Sequence, residues 1–226
     1  MRGQRFRLWR HRPIEGKIKA GNVPQDARGQ WYCIIVCEVE PVPLAGEADI
    51  GVDRGLKFVA TCSDGPHLEQ AGFHRDLEPK LAAAQRAGRK CQVRTIHAKI
   101  ATRRKDALHQ FSRRLVTWSS RITVGNVSAS RLAKAPMAKS VLDAGWAMLR
   151  GFLRYTCAHA GVAYREVEGA NTTRTCPVCG SISGPYGRDG LGIRQWVCSA
   201  CGAEHHRDTN AALNLARLGC ETPCLK

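Results

Sequence analysis

Negative charge and long apolar runs are what this chain has least of. Its longest apolar run, Cys33-Ile34-Ile35-Val36-Cys37, is strand-sized, well short of the ~20 residues that a helical bilayer span needs. No amphipathic anchor accompanies it, and membrane association is set aside. The N-terminus is basic (Arg2, Arg5, Arg7, Arg10, Arg12) but has no apolar segment behind it, so it does not read as a signal peptide. Acids number 19 against 35 Lys and Arg, giving a net charge of +16. So large an excess calls for a polyanionic partner, with nucleic acid as the leading class. Eleven cysteines form an odd set. With four of them assigned to a metal below, the rest are read as reduced thiols of a cytosolic protein.

The four are Cys176, Cys179, Cys198 and Cys201, in two knuckles of one design: Cys176-Pro177-Val178-Cys179-Gly180 and Cys198-Ser199-Ala200-Cys201-Gly202. Two thiolates three positions apart reach one cation through a tight turn, and the trailing Gly lets the backbone fold beneath it. Eighteen residues separate Cys179 from Cys198, a spacing expected of a four-cysteine zinc ribbon. Four thiolates leave no open coordination position, so this zinc is structural.

Elsewhere the pattern alternates between strands and helices. Trp31–Val39, rich in aromatic and β-branched residues, reads as a strand entered through the turn Ala27-Arg28-Gly29. Strands over Ala48–Asp53 and Phe58–Cys62 follow, placing Asp53 at a strand end, where the carboxylate either projects into a cleft or simply forms a turn. His74–Arg121 reads as helix and carries thirteen Lys and Arg against Asp76, Glu78 and Asp106. So one-sided a run is a candidate phosphate-binding face, and Arg94, Lys99, Arg103, Arg104, Lys105, Arg113 and Arg114 are its candidate contacts. A strand over Ile122–Val127, an amphipathic helix over Lys139–Ala160, a strand over Ala163–Val167, the ribbon and a last helix complete the order. Three strands, helix, strand, helix, strand, inserted ribbon, helix is an α/β layout with a mixed sheet, and it matches the RNase H-like fold.

Four segments carry a family resemblance: Asp49-Ile50-Gly51-Val52-Asp53-Arg54-Gly55, Lys134 to Asp143, Thr172-Thr173-Arg174-Thr175-Cys176-Pro177-Val178-Cys179-Gly180, and Arg207-Asp208-Thr209-Asn210-Ala211-Ala212. They resemble TnpB (OrfB), the accessory protein of small bacterial insertion sequences and a relative of type V CRISPR effectors. The resemblance runs from about His11 to Ala216 and implies an RNA-guided DNA endonuclease with a RuvC core, involved in transposition and DNA recombination. It also implies guide RNA and DNA as partners and a cytoplasmic, nucleoid-associated bacterial location. By this match Asp53 is the first catalytic carboxylate and Asp208 the last. Implied domains are a partial N-terminal β segment (1–45), the core (46–170 and 206–220, with a basic helical insertion over about 74–121) and the ribbon (171–205).

The residue types suit that chemistry. Phosphodiester hydrolysis needs an activated water and neutralisation of a pentacovalent phosphate, which two divalent ions about 3.5–4 Å apart supply. Magnesium takes hard oxygen ligands, so Asp53 and Asp208 are suitable holders, although Asp208 before Asn-Ala-Ala-Leu is also a sound helix cap.

Two features depart from the family. The chain enters near the last strands of the usual N-terminal region. Most members also carry Glu on the strand that here reads Ile122–Asn126, where this chain has Gly125 and no acid. Members with the wording Val-Gly-Asn-Val-Ser have their Glu just before the Thr-Thr pair, where Gly169 stands here with Glu168 one residue earlier. A one-residue slip turns a side chain to the other face of a regular strand, but at a strand end Glu168 is the expected third ligand. The alternative is a nuclease-inactive, truncated nucleic-acid binder of the same family.

Overall fold

The computed structural model describes residues 7, 9, 13–44, 46–55, 57–69, 72–126, 145–187 and 189–221. The Lys134 to Asp143 segment and the first turns of the helix expected from Lys139 lie outside these residues.

The central element is a five-stranded sheet in the order β5-β4-β3-β6-β7. Its strands are β3 (Ala48–Asp53), β4 (Phe58–Cys62), β5 (Leu68–Glu69), β6 (Ser119–Gly125) and β7 (Ala163–Val167). The first three form an antiparallel meander, while β6 and β7 run parallel to β3, so the sheet is mixed. Helices α1 (Glu78–Arg86) and α2 (Lys90–Val116) connect β5 to β6, α3 (Trp146–Ala160) precedes β7, and α4 (Arg207–Glu221) comes last.

Strand alternation separates the two faces of the sheet. Ile50, Val52, Ile122 and Val124 point to one side and pack with Leu108, Phe111 and Leu115 of α2 and Leu149 and Leu153 of α3, all buried. Gly51 and Thr123 point to the other side, onto α4. A Cβ on Gly51 would lie 1.9 Å from the Ala212 carbonyl oxygen, and one on Gly219 would lie 1.9 Å from Thr123 Oγ1. Helix and sheet backbones approach so closely that neither position has room for a side chain. Asp53 is two residues after Gly51 and therefore shares the α4 face.

Three expectations change. The strand in Trp31–Val39 exists as β2 (Ile34–Glu38), but it pairs antiparallel with β1 (Lys17–Asn22) in a separate two-stranded sheet. The third strand of the main meander is instead β5, two residues long, too short to show alternation. The single helix expected over His74–Arg121 is broken: Gly88, at φ 65°, ends α1 in the left-handed conformation that favours glycine, and Ser119–Arg121 already belong to β6. The α1–α2 hairpin has its own apolar cluster of Leu77, Leu81, Ala84, Ile96 and Ile100. Helix α2, about 40 Å long at 1.5 Å per residue, runs from that cluster into the main core.

Candidate active site and metal centre

Asp53 closes β3, half-buried on the α4 face. Burial and the neighbouring Asp208 carboxylate push its carboxyl from the ordinary 3.8 up to about 7. The next residue, Arg54, is buried at 6% exposure, and its Nη2 donates to the Gly125 carbonyl at 2.6 Å. That bond ties the end of β3 to the end of β6 and fixes the backbone from which Asp53 projects.

Asp208 lies in the first turn of α4, where the helix N-terminus favours an anion. Arg194 Nη1 donates to both of its oxygens, at 2.7 and 3.0 Å. The two carboxylates predicted to act together are thus neighbours, brought from opposite ends of the sequence by the close packing of α4 on β3.

Glu168 lies elsewhere. It is exposed and follows the last residue of β7. Across the β6–β7 register Val124 faces Glu166 and Gly125 faces Val167. Glu166 accepts from Arg154 and Tyr164, each at 3.0 Å. By parity Glu168 continues the Glu166 side and Gly169 the Asp53 side. A Cβ on Gly169 would indeed point toward Leu215, Thr172 and Gly125 at 3.7–3.9 Å, and one on Gly125 would meet the Leu215 methyls at 3.2 Å. The expected convergence of three carboxylates is therefore a convergence of two. Among the described residues, the only group of three or more possible ligands with donor atoms all within 4.8 Å is Cys176, Cys179, Cys198 and Cys201.

In that group Cys176 and Cys198 are buried while Cys179 and Cys201 are exposed. The knuckles match in detail. Gly180 N donates to Cys176 O at 2.8 Å and Gly202 N to Cys198 O at 2.9 Å, with both glycines at positive φ (77° and 74°). The hairpin of β8 (Gln195–Val197) and β9 (Glu204–His206) supports the second knuckle, and Trp196 is buried beside the cysteines. Ser183 Oγ donates to Cys198 Sγ at 3.2 Å, and this bond leads in lowering the pKa of that thiol. His205 Nε2 lies 3.1 Å from Cys176 Sγ. Four sulfurs in this arrangement suit a soft or borderline divalent ion.

The cysteine centre and the carboxylate pair are joined mechanically. Asn210 and Asn214, one turn apart on α4 and both buried, each donate to the carbonyls of Thr172 and Thr175 at 2.7–2.9 Å, holding the turn that leads into the first knuckle. Arg207 N donates to Arg194 O at 2.7 Å. These asparagines, Arg194, Arg54, Ser183 and His205 were not singled out in the sequence. Only the i, i+4 asparagine pair on an otherwise apolar helix face offered a signal.

The basic candidates Arg94, Lys99, Arg103, Arg104, Lys105, Arg113 and Arg114 all lie on α2, and all but the half-buried Arg104 are exposed. No helix among the described residues is long and apolar enough to cross a membrane.

Asp53 carries a stability prediction for the protein with no metal at this site. Between pH ~4 and ~7 the folded chain keeps a proton that the unfolded chain releases. This group therefore makes the fold progressively less stable as pH rises through that window, and the loss is complete above 7. Asp53→Asn should stabilise the protein at pH 8 by on the order of 2–4 kcal/mol, and by clearly less at pH 5. Thermal denaturation at both pH values checks this; equal gains would contradict it.

Comparison with known proteins agrees with this architecture. Residues 146–215, from α3 through the ribbon into α4, match the model of the Cas12f1-like TNB domain. A Streptomyces pristinaespiralis protein whose name puts it forward as an RNA-guided DNA endonuclease is 33% identical over 87% of this chain and 52% of its own length. The TnpB-like protein L79 of Acanthamoeba polyphaga mimivirus is 31% identical over 63% of this chain and 28% of its own length. Among solved structures, Cas12f1 in complex with sgRNA and target DNA superposes with a TM-score of 0.58 at 17% identity, covering 86% of this chain and 55% of that one, which shows a shared fold. The chain spans about half the length of the Streptomyces relative. Over the stretch they share, the chain is a member of the TnpB family.

Proposed function

We propose that this chain acts in an RNA-guided DNA endonuclease of the TnpB type, hydrolysing phosphodiester bonds at Asp53 and Asp208 with magnesium. The observation that carries the reading is the meeting of these two carboxylates on one face of the sheet, close enough for the charge of Asp208 to help hold Asp53 protonated near neutral pH. Two carboxylates side by side repel each other, and a divalent cation joining them would relieve that repulsion. Their oxygen donors suit magnesium, as the four thiolates suit zinc. The strand order, an antiparallel meander followed by two parallel strands, supports an RNase H-like (RuvC) core over 46–170 and 206–220, with the ribbon over 171–205 and a β segment over 1–45. The names of the Streptomyces relative and the Cas12f1 complex support guide RNA and DNA as partners.

In this reading Asp53 and Asp208 bind and orient the ions, and Asp53 gives up its proton on doing so. Arg54 holds the backbone beneath them. Magnesium held by Asp53 and Asp208 would supply the activated water and the charge that a pentacovalent phosphate needs. Glu168 would complete the ligand set only by turning from solvent toward Asp53 just past the end of β7. Its exposure is the one observation that favours the second reading, a nucleic-acid binder without nuclease activity. Magnesium-dependent cleavage of a guide-matched duplex, absent for a mismatched one, tests the proposal. Tight binding with no cleavage selects the second reading.

Helix α2 is the proposed phosphate-binding face. Arg103→Ala with Lys105→Ala should weaken DNA binding and lower the slope of log affinity against log salt by about 2, near 0.9 per lost contact. An unchanged slope in a salt titration would place the interface elsewhere.

A further inference from the structure

The carboxylate of Asp208 is already engaged. Arg194 Nη1 sits 2.7 Å from one oxygen and 3.0 Å from the other, straddling the edge of the carboxylate that a divalent cation would use. Asp208 is only 14% exposed, whereas the Arg194 side chain is 42% exposed. The acid is therefore fixed and the arginine has open space beside it.

The arginine belongs to the ribbon and its backbone is anchored. Its carbonyl accepts from Arg207 N at 2.7 Å, and Arg207 Nη1 donates to the Gly190 carbonyl at 3.1 Å. The main chain of the ribbon is thus stapled to the start of α4, and only the long, flexible side chain is placed to swing. A guanidinium and a metal ion cannot share one carboxylate edge: a magnesium ion about 2.0–2.1 Å from the oxygens would take the donor's position and bring two cations into contact.

We propose that Arg194 is a latch on the carboxylate pair, a ribbon-borne guanidinium that holds and orients Asp208 while no metal is bound and must swing away for a divalent cation to bind. The inference rests on the reading of Asp208 as a metal-holding carboxylate. It adds that the ribbon controls access to that carboxylate, so metal affinity at the acids is set partly from outside them.

The test is manganese binding by the full, zinc-retaining chain, with free Mn2+ counted by electron paramagnetic resonance. Arg194→Ala and Arg194→Gln should each bind Mn2+ about tenfold more tightly than the parent. Arg194→Lys should fall between, because it keeps a positive charge beside Asp208 but carries it on a shorter, more strongly hydrated ammonium. Asp208→Asn should lose the site, and equal zinc content in every sample shows the ribbon intact. Unchanged or weaker Mn2+ binding in both Arg194→Ala and Arg194→Gln, with the site still lost in Asp208→Asn, overturns the latch and leaves the metal reading standing. No Asp208-dependent Mn2+ binding in the parent or in either Arg194 variant overturns the metal reading and the latch together.

Discussion

Asp53→Ala and Asp208→Ala are each expected to slow magnesium-dependent DNA cleavage by about 10^3-fold or more, on the order of 4 kcal/mol of transition-state stabilisation, while leaving nucleic-acid affinity nearly unchanged. The two effects should be far from additive, because either acid alone holds a metal poorly and the double variant has little left to lose. Neither side chain belongs to the hydrophobic core, and removing Asp53 relieves a buried charge, so loss of activity would not reflect unfolding. Cleavage rates under single-turnover conditions provide the check. Glu168→Ala reads the third position in the same assay: a comparable loss assigns Glu168 as a ligand, and retained activity leaves a two-acid site.

Cys176→Ser and Cys201→Ser should each release the one zinc expected per chain and unfold the ribbon. Structural zinc contributes about 10–16 kcal/mol in small modules, far more than the few buried residues around Trp196 could replace. The consequence should reach the carboxylates. Arg194 and the Thr172–Thr175 turn are held in place by the ribbon and are bonded to Asp208, Asn210 and Asn214 of α4. Limited proteolysis should therefore cut first between 176 and 206 and only later at α4. Elemental analysis showing a folded parent chain without zinc would end this part of the account.

What could be read in advance, and what could not, follows the range of each interaction. The cysteine knuckles were legible because a tight turn and a tetrahedral shell impose a local spacing, and the four thiols do converge. Asp53 was legible as the acid ending an apolar strand, and Asp208 as the acid opening an amphipathic helix. β5 was not, since two residues show no alternation. β1 was not either, because Lys17-Ile18-Lys19-Ala20-Gly21-Asn22 is a poor strand sequence that becomes one only by pairing with β2. The break at Gly88 was hidden because basic helix-forming residues flank it on both sides. Glu168 shows the limit most clearly: a single residue of register decides whether a carboxylate faces Asp53 or solvent, and composition does not carry register. Arg194 had no signal at all, since its partner lies across a hairpin and in the next helix.

One crystal soaked in manganese, with anomalous scattering recorded at the manganese and zinc edges, would show directly whether Asp53 and Asp208 share a metal. A zinc peak is expected among Cys176, Cys179, Cys198 and Cys201, and a manganese peak about 2.0–2.3 Å from carboxylate oxygens of both Asp53 and Asp208. In that crystal Arg194 should have left Asp208. Zinc in the ribbon with no manganese between the two aspartates, and Arg194 still bonded to Asp208, would contradict a shared metal site.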